Sequence, residues 1–333
     1  MPQTGRVLVT GATGFVGGCL TRELLMRGVP VRAMGRDKIK LAELGMLGAE
    51  PLEGDLRNRD AVICACQNVD TVFHVGALSS DWGRRADFEA VNVGGTESII
   101  AGCWQFGVGK LVYVSSPSVL FDGRDQTNLP DDAPYPARFV SVYSETKARA
   151  EVLVRENRDV PFVIVRPKAI FGPGDTSLLP RLMRAAQANR LPQIGNGQNH
   201  VDLTYIDNVV HALLLAATRK QAVGNTYNIT NGEPPPRLWA VIGDVLRGAS
   251  IPYPRRRVGV RLALAVATLL EARARFFGGE PLLTRYGVRI LARTQTYNIE
   301  RARRDLNYAP VVSLAEGIAR TIAAFNKRET GRV

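Results

Sequence analysis

The sequence has few of the residues that build metal centres and disulfide frameworks. Its 333 residues include only four cysteines and three histidines. Cys64 and Cys66 are separated by one residue rather than two, and Cys19 and Cys103 lie far from them, so no zinc or redox spacing is present. We therefore expect no metal site, and reduced thiols such as those of a cytoplasmic protein.

Long apolar runs and an export signal are also missing. The N-terminus, MPQTGRVLVTG, lacks the apolar core of a signal peptide. The run LALAVATLL, residues 262–270, ends at Glu271 and is well below the roughly 20 residues that a transmembrane helix needs. We predict a cytoplasmic protein that does not span a membrane.

Most of the excess positive charge of the chain lies in its last quarter. The formal net charge is +12, yet residues 1–250 hold 27 basic and 25 acidic side chains, whereas residues 251–333 hold 16 and 6. A nucleic-acid-binding protein has its basic residues arranged along a binding face, so we expect no nucleic-acid partner. The 45% of hydrophobic and 22% of charged residues are ordinary for a globular protein.

The first motif is a strand, a glycine-rich turn and a helix. RVLVT, residues 6–10, is a β-branched run of buried-strand type, GATGFVGG follows, and CLTRELLMRG has helical spacing. Gly11 and Gly14 allow a tight turn close to a pyrophosphate, and Gly17 allows close helix packing. This context predicts a dinucleotide site, although the spacing is Gly-x-x-Gly-x-x-Gly rather than the commoner Gly-x-Gly-x-x-Gly.

The end of the second strand bears on the choice of dinucleotide. A site that prefers NAD places an acid there for the ribose 2′-hydroxyl, but VPVRAMGRD offers Gly35 and Arg36 before Asp37. A guanidinium pairs with a 2′-phosphate in a forked geometry. We predict NADP(H) as the preferred cofactor and NAD(H) as the alternative; a solvated loop position for Arg36 is the competing explanation.

Further strands alternate with helices, which predicts a Rossmann-type α/β fold with a doubly wound parallel sheet of about seven strands. Ligands bind such sheets beyond the carboxyl ends of the strands, where the pattern places Gly11, Asp55, Val75, Ser115 and Pro167. We expect the dinucleotide-binding domain in residues 1–170, with a returning strand near 200–232. A smaller, mostly helical substrate lobe is expected in 171–199 and 233–328.

A tyrosine and a lysine are spaced four apart in VYSETKARAE, residues 142–151. Tyr143 and Lys147 therefore share a helix face. A neighbouring ammonium favours the phenolate, so we expect Lys147 to lower the pKa of Tyr143 and to make it an acid/base group. The spacing alone is also compatible with a solvated helix face, but the strand-end serines nearby favour chemistry.

The chain resembles the extended short-chain dehydrogenases/reductases, and within them the 3β-hydroxysteroid dehydrogenase-like branch, which includes 2-alkyl-3-oxoalkanoate reductases. The motifs that carry the resemblance run in family order over nearly the whole chain: TGATGFVGG, GDL, VFHVGA, VNVGGT, YVSSPSV, YSETK, VRPKAIFGPGD, VDLTYIDNVVHALLLA and YNIERARRDLNYAP. The resemblance implies Tyr143 as general acid/base, Lys147 as ribose anchor and Ser116 as the hydroxyl that polarises the substrate carbonyl. It implies cofactor contacts from Gly11, Thr13, Gly14, Phe15, Val16, Gly17, Arg36, Asp55, Leu56, Val75, Gly76, Ala77, Asn92, Ser115, Tyr143, Lys147, Pro167 and Ile170.

Two positions depart from the family pattern. The catalytic hydroxyl has three candidates, Ser115, Ser116 and Ser118, and we choose Ser116 because it matches the second Ser/Thr of the family motif. Lys168, directly after the Arg-Pro pair, is unusual and is expected either near the nicotinamide or in solvent.

The apolar, arginine-flanked segment 255–277 admits two interpretations. The favoured one is a helix whose apolar face covers a hydrophobic substrate; the alternative is peripheral contact with the inner face of a membrane.

We predict an NAD(P)-dependent oxidoreductase that acts on CH–OH groups. It is expected to interconvert a ketone and an alcohol on a 3-oxo or 3β-hydroxy steroid or a 3-oxoacyl compound, and to form a homodimer. A nucleotide-sugar epimerase or reductase and a non-catalytic dinucleotide sensor are the alternatives.

Overall fold

A seven-stranded sheet forms the centre of the computed structural model, which describes residues 5–157, 159–175, 179–188, 190–254 and 256–329. The strands are β1 (Val7–Thr10), β2 (Val31–Gly35), β3 (Glu50–Glu53), β4 (Thr71–His74), β5 (Lys110–Val114), β6 (Gln126–Leu129), β7 (Phe162–Pro167), β8 (Ile170–Phe171), β9 (Gln193–Ile194), β10 (Thr204–Tyr205), β11 (Thr226–Ile229), β12 (Arg257–Val258) and β13 (Gln295–Tyr297).

The order of strands in the main sheet is β11-β7-β5-β4-β1-β2-β3, and every neighbouring pair is parallel. Apolar, β-branched runs such as Val7–Thr10 are buried throughout, as expected for strands covered on both faces. The predicted doubly wound parallel sheet is confirmed. The carboxyl ends of β1, β4, β5 and β7 consequently meet at one edge.

Twelve α-helices are described. They are α1 (Phe15–Met26), α2 (Lys38–Met46), α3 (Arg59–Ala65), α4 (Arg85–Phe88), α5 (Gly95–Gln105), α6 (Val142–Glu156), α7 (Leu179–Gln187), α8 (Ile206–Thr218), α9 (Leu238–Gly248), α10 (Val260–Phe277), α11 (Arg285–Ala292) and α12 (Leu314–Glu329). A π-helical segment, Glu89–Gly94, joins α4 to α5. It holds Asn92, whose buried side chain bonds the backbone of Leu78.

Short strand pairs connect the C-terminal part of the chain to the sheet-bearing part. β13 pairs in parallel with β6, β12 with β9, and β10 with β8. The pairing of β13 with β6 brings the segment that follows α11 beside the loop that follows β5. Residues remote in sequence are thereby placed next to the carboxyl edge of the sheet.

The large apolar side chains of α10 face outward, contrary to the expectation that the apolar face of this helix covers a substrate. The residues that it buries are Ala263, Ala267 and Glu271, whereas Leu269 is 71% exposed and Phe276 is 85% exposed. The small side chains allow close packing of the helix, so the large ones are left outside. Among the described residues, no helix is both long enough and apolar enough to cross a bilayer.

Candidate active site

The turn between β1 and α1 is shaped for a close approach of a ligand. Gly11 has a φ of +65°, and a Cβ atom there would lie 2.6 Å from Cα of Gly76. A Cβ atom on Gly17 would lie 2.2 Å from the carbonyl oxygen of Gly11. Both positions therefore require glycine, and the turn packs tightly against the end of β4.

Helix α1 begins at this turn without a side-chain cap. Gly14 is its exposed N-cap residue and supplies no capping hydrogen bond. Phe15 and Val16 in the first turn are half-buried, and the side chain of Thr13 lies against Gly35 at the end of β2. Uncapped N–H groups and the positive end of the helix dipole fit a pyrophosphate.

Two arginine side chains lie beside the carboxylate of Asp55, after the ends of β2 and β3. The Arg36 side chain is 71% exposed, and its Nη1 lies 4.0 Å from Oδ2 of Asp55. The Arg57 guanidinium donates two hydrogen bonds of 3.0 and 2.6 Å to the same carboxylate, and these bonds lower the pKa of Asp55. Asp37 caps α2 by accepting from the backbone N–H groups of Ile39 and Lys40. The only carboxylate in the Gly35–Asp37 segment is thus occupied as a helix cap.

The end of β4 forms the floor between the glycine turn and α6. Val75, Gly76 and Ala77 are half-buried there, and Leu56 is so close that its Cδ1 would lie 2.9 Å from a Cβ on Gly76. The amide of Asn92 is fully engaged: its oxygen accepts from Leu78 N at 2.8 Å, and its nitrogen donates to Thr146 Oγ1 at 3.0 Å and to Leu78 O at 3.2 Å. Asn92 thereby ties the loop after β4 to α6.

Tyr143 lies in the first turn of α6, half-buried at the carboxyl edge of the sheet. Burial raises its pKa to about 12, and a hydrogen bond with the Ser116 hydroxyl acts in the opposite direction. The expectation that Lys147 holds this pKa below its ordinary value is therefore wrong for the protein alone. Loss of hydration disfavours the phenolate, and the phenol is protonated at neutral pH.

Lys147 is one helical turn further along α6 and is buried beneath the site. Its Nζ donates to the carbonyl oxygen of Val114 at 2.8 Å and lies 4.1 Å from the centre of the Tyr113 ring. Burial lowers the pKa of Lys147 to about 7, against an opposing effect from the charge of Glu151. The ammonium is thus fixed at the end of β5, beside the serines.

The three candidate serines occupy different environments. Ser116 caps the 3₁₀ helix Pro117–Leu120, accepting from the N–H of Ser118, and its hydroxyl also interacts with Tyr143. Ser115 is buried, and its hydroxyl acts on the carboxylate of Glu151, where it helps to lower the pKa. Ser118 instead interacts with Tyr286. The Ser118 hydroxyl acts to lower the pKa of Tyr286, whereas burial raises it. Of the three, Ser116 is the serine that interacts with Tyr143.

Pro167 ends β7 in a buried position, and Ile170 follows it, half-buried, in β8. Between them, Lys168 is buried rather than solvated. Its Nζ donates to Oε1 of Gln295 at 2.6 Å, and burial lowers the pKa of Lys168 to about 8 while the charge of Asp202 opposes the shift. Lys168 consequently holds β7 to β13.

Tyr286, in α11, is a neighbour of Tyr143 that the sequence did not predict. Burial raises the pKa of Tyr286, as do the charges of Tyr143 and Asp81. Asp81 belongs to the loop after β4, and its Oδ2 accepts from Thr284 at 2.9 Å. The only sequence signal was the polar tripeptide Thr284–Tyr286 after an apolar helix, and nothing in that pattern pointed to α6.

Comparison with known proteins places the chain in a family. The model of the 3-beta hydroxysteroid dehydrogenase/isomerase family matches residues 8–258. The 2-alkyl-3-oxoalkanoate reductase of Stenotrophomonas maltophilia is 38% identical over 332 residues, which cover 96% of this chain and 99% of that protein. The decarboxylating sterol-4-alpha-carboxylate 3-dehydrogenase of Mus musculus is 32% identical over 335 residues, covering 96% and 90%.

A solved structure, MoeE5 in complex with UDP-glucose and NAD, has a TM-score of 0.77 and 25% identity, covering 98% of this chain and 100% of that one. The family match spans most of the chain, and both sequence relatives are named as reductases or dehydrogenases. The chain therefore belongs to the 3-beta hydroxysteroid dehydrogenase/isomerase family and is an oxidoreductase with the extended short-chain dehydrogenase/reductase fold.

Proposed function

We propose that this protein is an NADP(H)-dependent oxidoreductase that interconverts a ketone and a secondary alcohol on a hydrophobic 3-oxo or 3-hydroxy substrate. The observation that carries the proposal is the half-buried Tyr143 phenol, which interacts with Ser116 and lies one helical turn from the buried Lys147. The glycine turn and the uncapped α1 fit a dinucleotide at the same edge of the sheet. A bound nicotinamide dinucleotide supplies or accepts the hydride.

In the direction of reduction, Tyr143 donates its proton to the carbonyl oxygen of the substrate, and the Ser116 hydroxyl donates a hydrogen bond to the same oxygen. The raised pKa keeps the phenol protonated up to about pH 12, so the donor is present throughout the neutral range. In the direction of oxidation, the phenolate form of Tyr143 accepts the proton of the substrate hydroxyl and becomes the phenol. The charge of Lys147, fixed beside Val114, stabilises the phenolate that this step requires.

The names of the sequence relatives support the proposed substrate class. One relative is named for a 2-alkyl-3-oxoalkanoate and the other for a sterol carboxylate, and both molecules have a large apolar body. Burial of apolar substrate surface gains about 25 cal/mol per Å². We therefore assign the chain a 3-oxo substrate with an extended apolar part rather than a nucleotide sugar.

A turnover series tests this assignment. NADPH oxidation is measured with 2-alkyl-3-oxoalkanoates of increasing chain length, with a 3-oxo steroid, and with UDP-glucose as the competing class. We expect KM to fall by up to about four-fold per added methylene until the pocket is filled, because each buried methylene contributes about 0.8 kcal/mol. A KM that is independent of chain length, together with tight binding of UDP-glucose, would assign the site to sugar nucleotides instead.

Arg36 should set the preference for NADPH. Its exposed guanidinium fits a 2′-phosphate, and the charged hydrogen bonds contribute about 1.5–3 kcal/mol. Arg36→Ala should therefore lower the ratio of kcat/KM for NADPH to that for NADH by roughly 10- to 100-fold. Lys38→Ala is the matched control, since Lys38 is similarly exposed but pairs with Glu53 at 3.1 Å. If both variants retain the wild-type ratio, Arg36 does not contact the phosphate.

A further inference from the structure

Helix α10 and the turn after it expose an unusual amount of apolar surface. We call this surface the apolar ridge. It consists of Leu262 (61% exposed), Val266 (41%), Leu269 (71%), Phe276 (85%), Phe277 (83%) and Leu282 (76%). Single exposed apolar residues are ordinary, but a contiguous group of this size marks an interaction surface.

The ridge follows one side of the helix. Leu262, Val266, Leu269 and Phe276 are separated by four, three and seven residues, which is the spacing of one side of an α-helix, and the exposed Arg273 lies on the same side between Leu269 and Phe276. The opposite side is buried through Ala263, Ala267 and Glu271. The helix thus packs on the protein through its small residues, and its large apolar residues face outward, away from the core.

The surroundings of the ridge are strongly basic. Residues 256–292 contain seven arginines and two glutamates. One of the glutamates, Glu271, is buried and accepts from Arg285 at 2.8 Å. Arg261 and Arg273 are exposed on the helix itself, where long side chains can keep their charges in water while their stems lie against apolar material.

We propose that the apolar ridge docks on the surface of an anionic lipid bilayer, with α10 lying in the interface. An apolar face with basic flanks matches the acyl boundary and the negative headgroups of such a membrane. A second copy of the chain is a poorer occupant, because a two-fold contact through the ridge brings the arginines of one copy towards those of the other.

The ridge continues into the covering of the active site. Between Phe277 and Leu282, Gly279 accepts a hydrogen bond from Trp82 Nε1 at 3.1 Å, and after Leu282, Thr284 donates to Asp81. Two residues beyond Thr284, Tyr286 interacts with Tyr143. Docking therefore brings the loop over the site to the bilayer, where an apolar substrate is dissolved. The docking itself goes beyond the proposed reaction and does not depend on it.

Sedimentation of the full chain with vesicles tests the proposal without any substrate. Vesicles of phosphatidylcholine alone are compared with vesicles that contain phosphatidylglycerol, at low and high salt. We expect retention on the anionic vesicles at low salt and release at high salt, since surface charges are screened. The variant Phe276→Ser/Phe277→Ser should lower the partition coefficient at least about ten-fold, because both rings lose their burial in the interface.

The matched control is Met26→Ser/Met46→Ser, which removes two exposed apolar side chains, 76% and 82% exposed, from α1 and α2. It should bind vesicles as the wild type does. Arg261→Gln/Arg273→Gln should weaken binding to anionic vesicles, whereas Arg247→Gln in α9 should not. The proposal is overturned if the wild type is not retained, or if the phenylalanine variant binds equally well. It is also overturned if that variant dissociates an oligomer in lipid-free solution, because a second copy then covers the ridge.

Discussion

Tyr143→Phe should lower kcat for carbonyl reduction by about 10²- to 10⁴-fold and leave the dinucleotide Kd within a few-fold of the wild-type value. The ring keeps its place in the first turn of α6, but the proton donor is removed. Because burial keeps the Tyr143 phenol protonated at neutral pH, the wild-type enzyme has this donor available in every molecule. Single-turnover reduction and fluorescence titration with NADPH measure the two quantities separately.

Tyr286→Phe is the matched control, since it removes the same hydroxyl from the neighbouring phenol. It should reduce kcat by far less than Tyr143→Phe does. If Tyr143→Phe retains a near-normal rate and Tyr286→Phe does not, the proton donor is the phenol of α11 and our assignment is wrong. Equal, small losses in both variants would mean that neither phenol donates the proton in a rate-limiting step.

The parts of the site that could be predicted from the sequence depend on local patterns. The glycine turn was recognisable because a buried strand precedes it and a helix follows it. The pairing of Tyr143 with Lys147 follows from their spacing on one helix. The seven parallel strands were predictable for the same reason, since they alternate with helices and most of them are short apolar runs.

The parts that could not be predicted depend on tertiary environment. The pKa of Tyr143 is raised because the phenol is desolvated, and the depth of a side chain cannot be obtained from a four-residue spacing. For α10, periodicity shows two faces but not which one packs inward, and here the alanines do. Lys168 is buried because β13, remote in sequence, supplies Gln295 as its partner.

A buried ion pair fixes the catalytic helix to the sheet. Glu151 lies one turn after Lys147 on α6, and its carboxylate accepts from Arg166 of β7 at 2.8 and 2.5 Å. Both side chains are almost fully buried, at 0% and 1% exposure. Tyr135 donates a further hydrogen bond of 2.7 Å to Glu151. Although burial acts to raise the pKa of Glu151, the charge and hydrogen bonds of Arg166 hold it below its ordinary value.

Glu151→Gln should lower the free energy of unfolding by about 3–5 kcal/mol, because the buried guanidinium of Arg166 keeps its charge and loses its counterion. Glu145→Gln is the matched control on the same helix. Glu145 pairs with the half-exposed Arg85 at 2.8 Å, and a surface pair of this kind contributes up to about 1 kcal/mol. Urea denaturation of the two variants and the wild type, analysed at a common m value, gives the comparison.

The double variant Glu151→Leu/Arg166→Met separates the cost of an unpaired charge from the contribution of the pair. With both charges absent, no buried ion is left without a partner, so the double variant should be more stable than Glu151→Gln alone. A loss of stability in the double variant equal to or larger than that of Glu151→Gln would mean that the pair itself stabilises α6 against β7. Equal stabilities of Glu151→Gln and Glu145→Gln would show that Arg166 finds another partner. Asp131 is the candidate, because its backbone oxygen already accepts from Arg166 and its charge acts on the same guanidinium.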